Sequence, residues 1–348
     1  MRHIVVGAGA SVAEGHELGL TLEQCPPLVS NFAAKLWSEF NPHPILDRFL
    51  SSRGYEVLNG DGRPLFYELE RCADTRDTIN VERFFEFAWR HRNKDWSPNV
   101  SSDGSLPKDY IGGFVVTNAS GITARRDLPR PNGWQNLLLH GIGSPLQLVL
   151  LEGFFQNRVG WRPLRFAQSV GRMLSPGDAV LNLNYDTLFE LGLQQASIPF
   201  SYAPRTARSN EVLICKPHGS LNLVVDEQKG RFSFGQPGWL GVPAPPGTIS
   251  FSGLLPPRYN KSYSQVPVAR SILAPLAESH PDAVSFWGVG LTTSDADLVD
   301  LYRTWMLDCK RVEVINPDDS VAFAAEKLLS RDVHHYQSIQ SWLADIKA

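Results

Sequence analysis

The chain has 348 residues, 43% of them hydrophobic and 20% charged, which is enough to bury a substantial core in one large domain or in a domain carrying a sizeable insertion. Its formal charge of -3, from 33 basic and 36 acidic residues, gives no electrostatic reason to expect direct nucleic acid binding. Apolar runs such as Val321–Ala325 are far too short to span a bilayer, and a glycine turn interrupts the stretch where a signal peptide would need its apolar core, so a cytoplasmic protein without a membrane partner is expected.

Ile4, Val5 and Val6 predict a short buried strand, and Gly7-Ala8-Gly9-Ala10-Ser11 predicts a turn into a helix, where free backbone N–H groups attract phosphate. From residue 31 to about 93 the apolar spacing predicts helices. Phe32, Leu36 and Phe40 lie on one, and Phe84, Phe85, Ala88 and Trp89 on another that Asn80 would cap, their aromatic group reading as core or an oligomer surface. Residues 95–113, rich in Ser, Pro, Asp and Gly, read as a loop, and helical pattern resumes near 134–155 and 164–174.

After Ser175-Pro176-Gly177-Asp178 the pattern becomes an alternation of strand and helix. Strands are expected at Ala179–Leu183, Val212–Cys215, Ala283–Trp287 and Val312–Ile315, and a helix at Thr187–Ala196. Such alternation predicts an α/β fold built on a Rossmann-like parallel sheet. The organisation that follows is a domain made of residues 1–30 and 166–348, interrupted by a large, mainly helical insertion at 31–165. Residues 230–257, dense in Gly and Pro, should be irregular or contain short antiparallel strands.

In an open α/β sheet the ligand lies outside the carboxyl ends of the strands. The residues there are Gly7, Asn184 with Asp186, His218, Gly288 with Gly290, and Asn316. Several have local alternatives: Asp186 as a helix N-cap, Asn184 and His218 as turn residues. A hydride-transfer Rossmann enzyme fits poorly, because Val12 stands where G-x-G-x-x-G needs its third glycine and no acidic residue closes a second strand about twenty residues on. Ser294 and Asp297 read as a capping-box pair before a helix that turns Leu298, Leu301, Tyr302, Trp305 and Met306 inward. The four cysteines, Cys25, Cys72, Cys215 and Cys309, are widely spaced with no C-x-x-C pair, so reduced thiols and no metal site are expected.

GAGAS at 7–11, LNLNYDTL at 181–188, KPHGSLN at 216–222, WGVGLTTSDADL at 287–298 and VINPD at 314–318 stand in the order of the Sir2 superfamily. The chain resembles the Sir2-like NAD+ hydrolases of bacterial anti-phage defence. That resemblance implies a Sir2/DHS-like fold, NAD+ as substrate, and a role in depleting NAD+ during abortive infection. It would place Gly7, Ala8, Gly9, Ala10 and Ser11 around the NAD+ pyrophosphate, Asn184 beside the nicotinamide ribose and Asp186 on the carboxamide. His218 would be the catalytic histidine; Gly290 and Thr292 would line the adenosine half, and Asn316 would approach its ribose. Thr292 stands where the family commonly has serine and keeps the hydroxyl.

The bond from nicotinamide to C1′ breaks through an oxocarbenium-like transition state with a leaving group that is already cationic, so no strong general acid is required. A neutral imidazole near the ribose hydroxyls or the incoming water, and an amide that positions them, suit this chemistry. Two alternatives stay open at this point. Protein deacylation is one, although the zinc module of two C-x-x-C pairs that deacetylating sirtuins carry after the H-G motif is missing here, with no cysteine between Cys215 and Cys309. A non-catalytic NAD+ or ADP-ribose sensor is the other. By family analogy, control is expected from homo-oligomerisation or from a separate activating partner: an ATPase, an Argonaute-like protein or a phage component. The start at the first strand and the end shortly after Asn316 leave little room for an appended sensor domain.

Overall fold

A computed structural model describes residues 1–22, 24–26, 28, 82, 114–117, 123–124, 162–226, 231–237, 249–255, 261–291 and 295–347. The chain divides into two compact units, one of Met1–Pro26, Gly153–Ser220 and Asn260–Ala348, the other of Pro27–Glu152 and Leu221–Tyr259. The helices expected at 31–93 and 134–155 and the loop at 95–113 lie outside the described residues, apart from Glu82, which is helical.

The first unit is an α/β layer structure. Its strands are β1 (Arg2–Val6), β4 (Ala179–Asn182), β5 (Phe200–Tyr202), β6 (Val212–Cys215), β10 (Ala283–Trp287), β11 (Arg311–Ile315) and β12 (His334–Tyr336). They form one seven-stranded sheet in the order β12-β11-β10-β1-β4-β6-β5. All neighbouring pairs run parallel. Its helices are α1 (Ala8–Glu17), α2 (Arg165–Gly171), α3 (Leu188–Gln195), α4 (Pro267–Ala277), α5 (Ala296–Met306), α6 (Asp319–Leu329) and α7 (Ile339–Lys347). The strands expected from the sequence all form, within two residues of the expected bounds.

The unbroken apolar runs of the central strands reflect burial on both faces, which only a helix-covered parallel sheet provides. Ile4 and Val5 are fully enclosed. Successive strand side chains point to opposite faces. Accordingly Phe286 meets Tyr302 of α5 with ring centroids 5.1 Å apart, while Trp287 meets Phe189 of α3 at 6.3 Å on the other face. The inward side of α5 is as expected: Leu298, Leu301, Tyr302, Trp305 and Met306 are all buried.

β1 lies in the middle, in register with β10 through Val5 and Phe286 and with β4 through Val5 and Leu181. From β1 the chain adds β4, then β5 at the edge and β6 between these two on one side, then crosses to add β10, β11 and β12 on the other. The strand order therefore reverses beside β1, where an open sheet leaves a crevice outside its carboxyl ends. Across the middle of the sheet a buried carboxylate, Glu313, accepts from Arg2 Nη1 at 2.8 Å, Ser285 Oγ at 2.6 Å and Trp342 Nε1 of α7 at 3.0 Å.

In the second unit, β2 (Phe114–Thr117), β3 (Thr123–Ala124), β7 (Gly219–Asp226), β8 (Arg231–Phe234) and β9 (Ile249–Leu254) form a five-stranded sheet in the order β3-β2-β9-β7-β8. The pairs β2–β3, β2–β9 and β7–β8 are antiparallel. The Gly- and Pro-rich stretch thus contributes short antiparallel strands. The unit also takes residues from both sides of the 166 boundary read from the sequence.

Candidate functional site

The turn after β1 packs against the turn after β10. Gly7 N–H donates to the Trp287 carbonyl at 2.9 Å and Gly9 N–H to the Gly288 carbonyl at 3.0 Å, while Ala10 N–H returns to the Gly7 carbonyl at 2.9 Å. Gly288 has φ +62, a left-handed conformation that disfavours a side chain. The N–H groups of residues 7, 9 and 10 therefore have intramolecular acceptors, and glycine is required here first for backbone contact between the two turns.

β4 ends at Asn182, and the next residues carry a directional hydrogen-bond chain. Asn184 is buried, and its Nδ2 donates to the Gly7 carbonyl at 2.9 Å and to Ser11 Oγ at 3.0 Å. Because a carbonyl only accepts, the Gly7 contact fixes which end of the amide is nitrogen. Both amide protons are thereby committed, and Oδ1 is the atom left to accept from a ligand. Ser11 in turn donates to Asp186 Oδ2 at 2.7 Å. Asp186 Oδ1 accepts from Leu188 N–H at 3.0 Å in the first turn of α3. Asp186 is therefore the cap-like residue one reading made it, and also a partner of the GAGAS helix.

Beneath this chain lies a buried ion pair, Lys216 Nζ to Glu190 Oε1 at 3.0 Å, both side chains fully enclosed. Lys216 also donates to the Asp186 carbonyl at 2.6 Å, and Asn182 Nδ2 donates to Glu190 at 3.1 Å. Burial pushes the Glu190 carboxyl up, with Lys216 pulling it back. Lys216 thus holds the 183–186 bend from below. Sequence reading passed over both residues; the signal was a lysine directly after an apolar strand and a glutamate inside an apolar helix.

His218 follows β6 and reaches the same bend. Its Nδ1 lies 2.9 Å from the Leu183 carbonyl, the residue before Asn184. A carbonyl partner requires Nδ1–H, so Nε2 carries the lone pair. Nε2 meets the hydroxyl of Tyr263, and the two rings stack with centroids 5.5 Å apart. Asp295 Oδ2 is 3.9 Å from Nε2, and Lys261 Nζ is 3.5 Å from Asp295 Oδ1. Burial, with Lys261 nearby, holds the imidazole down at about 3, neutral across the physiological range. Burial pushes the Tyr263 phenol well up. Lys261, Tyr263 and Asp295 complete a cluster not anticipated from the sequence. Asp295 sits inside the quoted WGVGLTTSDADL motif, but Tyr263 lies 45 residues from His218 and has no motif of its own.

The structure therefore brings together Gly7, Ala8, Gly9, Ala10, Ser11, Asn184, Asp186 and His218 at the carboxyl ends of β1, β4 and β6. Gly290, after β10, is exposed with open space where a Cβ would project. Asn316, after β11, spends its Oδ1 on Asp318 N–H at 3.0 Å, an Asx turn leading into α6. Thr292 and Ser294 lie outside the described residues. α5 begins at Ala296 with Asp295 in the cap position, and Asp297 accepts from Ser264 N–H at 2.8 Å. Asp297 is thereby tied to the 3-10 turn Tyr263–Gln265, and the capping-box pairing expected with Ser294 lies outside the described residues.

Among the described residues no cluster of three ligating groups could hold a metal ion, and no helix is long and apolar enough to cross a membrane. Cys25, Cys215 and Cys309 are buried and form no disulfide among the described residues. Cys72 lies outside the described residues. Comparison with protein-family models and with curated proteins finds no match for the chain.

Proposed function

We propose that the chain is an NAD+ hydrolase of the Sir2-like type, releasing nicotinamide and ADP-ribose with water as acceptor. The observation that carries this reading is the pairing at one bend of β4. His218, neutral with its Nε2 lone pair set by the Leu183 carbonyl, is held by the residue that precedes Asn184, whose amide protons are committed so that Oδ1 is left to accept. Supporting it are the strand-order reversal beside β1 and the N-terminus of α1, whose dipole favours a pyrophosphate.

In this reading the C1′–N bond breaks with its electron pair passing to the pyridinium, which leaves as neutral nicotinamide. Asn184 Oδ1 accepts from a ribose hydroxyl or from the water. His218 Nε2 takes the proton that the water loses as its oxygen bonds to C1′. The imidazole is neutral at pH 7 and so needs no prior deprotonation, while the burial that keeps it neutral also weakens it as a base. Asp186, tied to Ser11 and to the first turn of α3, holds the wall on which the carboxamide would rest.

The test is incubation with NAD+ and chromatographic separation of the products. Equal amounts of nicotinamide and ADP-ribose from the wild type, and none from folded His218→Ala, are expected. Product formation that requires an acylated peptide, or that persists in His218→Ala, refutes the proposal. Depletion of NAD+ as an anti-phage response belongs to the same proposal, and comparing cellular NAD+ after infection in cells carrying wild type or His218→Ala tests it.

A further inference from the structure

The reading of His218 as the base raises a conflict within the structure. A neutral imidazole whose Nδ1 is protonated offers one in-plane lone pair, on Nε2, and that lone pair takes one donor. The Tyr263 hydroxyl already occupies it, from a side chain that is fully enclosed. A water or sugar hydroxyl can pass its proton to Nε2 only after the phenol has left.

Resting on that reading, we propose that Tyr263 is a gate on the base and that Asp295 is the acceptor that receives its hydroxyl when the gate opens. The carboxylate is in place for this. Oδ2 lies 3.9 Å from the same Nε2 that the Tyr263 hydroxyl meets. Oδ1 is buried with no hydrogen-bond partner, its only charged neighbour among the described contacts being Lys261 Nζ at 3.5 Å. The phenol therefore trades one acceptor for another rather than losing a hydrogen bond in a dry interior, where an unpaired hydroxyl would be costly.

The turn that carries Tyr263 is anchored independently. Ser264 N–H donates to Asp297 at 2.8 Å and Ser262 Oγ at 3.4 Å to the same oxygen. Gate opening is thus a movement of the Tyr263 side chain on a turn pinned to the start of α5. Asp295 and Asp297 divide the work, one receiving the hydroxyl and the other holding its backbone.

The experiment compares wild type, Tyr263→Phe, Asp295→Asn and Tyr302→Phe as full-length chains. Tyr302 is the control, a buried phenol near Asp295 whose hydroxyl has no hydrogen-bond partner. The first readout needs no turnover: in protein labelled with 15N-histidine, the His218 Nε2 resonance should move to its non-hydrogen-bonded position in Tyr263→Phe and stay put in Tyr302→Phe. The second is NAD+ hydrolysis. Tyr263→Phe should raise kcat/KM about fivefold, the worth of one ordinary hydrogen bond, and Asp295→Asn, a weaker acceptor, should lower it. An unmoved Nε2 resonance in Tyr263→Phe, or a fall in its kcat/KM, overturns the gate. Absence of hydrolysis by the wild type refutes the hydrolase reading instead, and the resonance comparison then decides the gate alone.

Discussion

Gly7 and Gly288 meet backbone to backbone. A Cβ on Gly7 would lie 2.5 Å from the Gly288 carbonyl oxygen, and one on Gly288 would lie 2.2 Å from the Ala10 nitrogen. Neither obstacle is the movable end of a side chain. Gly288→Ala adds a disfavoured φ to this clash and should cost about 2–4 kcal/mol of stability. Gly290→Ala, projecting into open space, should stay within about 0.5 kcal/mol of the wild type. Urea unfolding of the two variants provides the comparison, and equal midpoints would contradict it.

Glu14, in the middle of α1, accepts from Ala167 N–H at 2.5 Å and so caps the start of α2 from another element. Burial pushes its carboxyl up to about 7, against backbone donors that pull it down. The folded state therefore holds a proton there that the unfolded chain releases near 4.5, and the associated stability falls as pH rises from about 4.5 to 7. The full effect is about 3 kcal/mol. Glu14→Gln should remove it, so the stability difference between variant and wild type grows in the variant's favour over that window. A flat difference across the same pH range would show that Glu14 titrates normally.

Lys216→Met leaves Glu190 without its counter-charge in a sealed site and should destabilise the protein by about 3–5 kcal/mol. Replacing both residues by Met should recover most of that loss, since an apolar pair of similar volume needs no solvation. Thermal unfolding of the single and double variants checks this. A double variant no better than the single would mean that the Lys216 contact to the Asp186 carbonyl is the larger contribution.

Ser11 is the middle of the Asn184-to-Asp186 chain. Ser11→Ala removes the donor to Asp186 Oδ2 and one acceptor of Asn184, with an expected loss of about 1–2 kcal/mol. Under the proposed hydrolase function, NAD+ turnover should fall with it, because Asn184 then swings about a single remaining contact. Asn316→Ala breaks only an Asx turn and should lower stability by about 1 kcal/mol with turnover preserved. The opposite ranking of the two variants in turnover would move the adenosine ribose to Asn316 and away from this chain of contacts.

Much of this site was legible because it is local. Ile4–Val6, Ala179–Leu183 and Val212–Cys215 are apolar runs with polar residues at their ends, and parallel-sheet geometry gathers those ends on one edge. That is why Ser11, Asn184, Asp186 and His218 could be brought together on paper. Tyr263, Lys261 and Asp295 could not, since no periodicity relates a tyrosine in a 3-10 turn to a histidine in the turn after β6. The glycines of the GAGAS segment are legible as a turn into a helix, but the partner that demands their smallness, Gly288, is set by the β1–β10 pairing, visible only in the strand order. Asn316 and Asp297 show the converse: the Oδ1 of Asn316 accepts from the nearby Asp318 N–H, and Asp297 accepts from Ser264 N–H, 33 positions away.

The contact between Arg2 and Glu313 joins residues 311 positions apart, and Trp342 closes on the same carboxylate. A ribosome delivers Ile4, Val5 and Val6 long before Phe286, the strand residue that flanks them, exists. The segment destined for the middle of the sheet must therefore wait as a bare apolar strand with one side unpaired while most of the polypeptide is made. Folding of this unit is thus governed by late, long-range closure, and the nascent chain is most vulnerable to aggregation in the interval before β10 emerges.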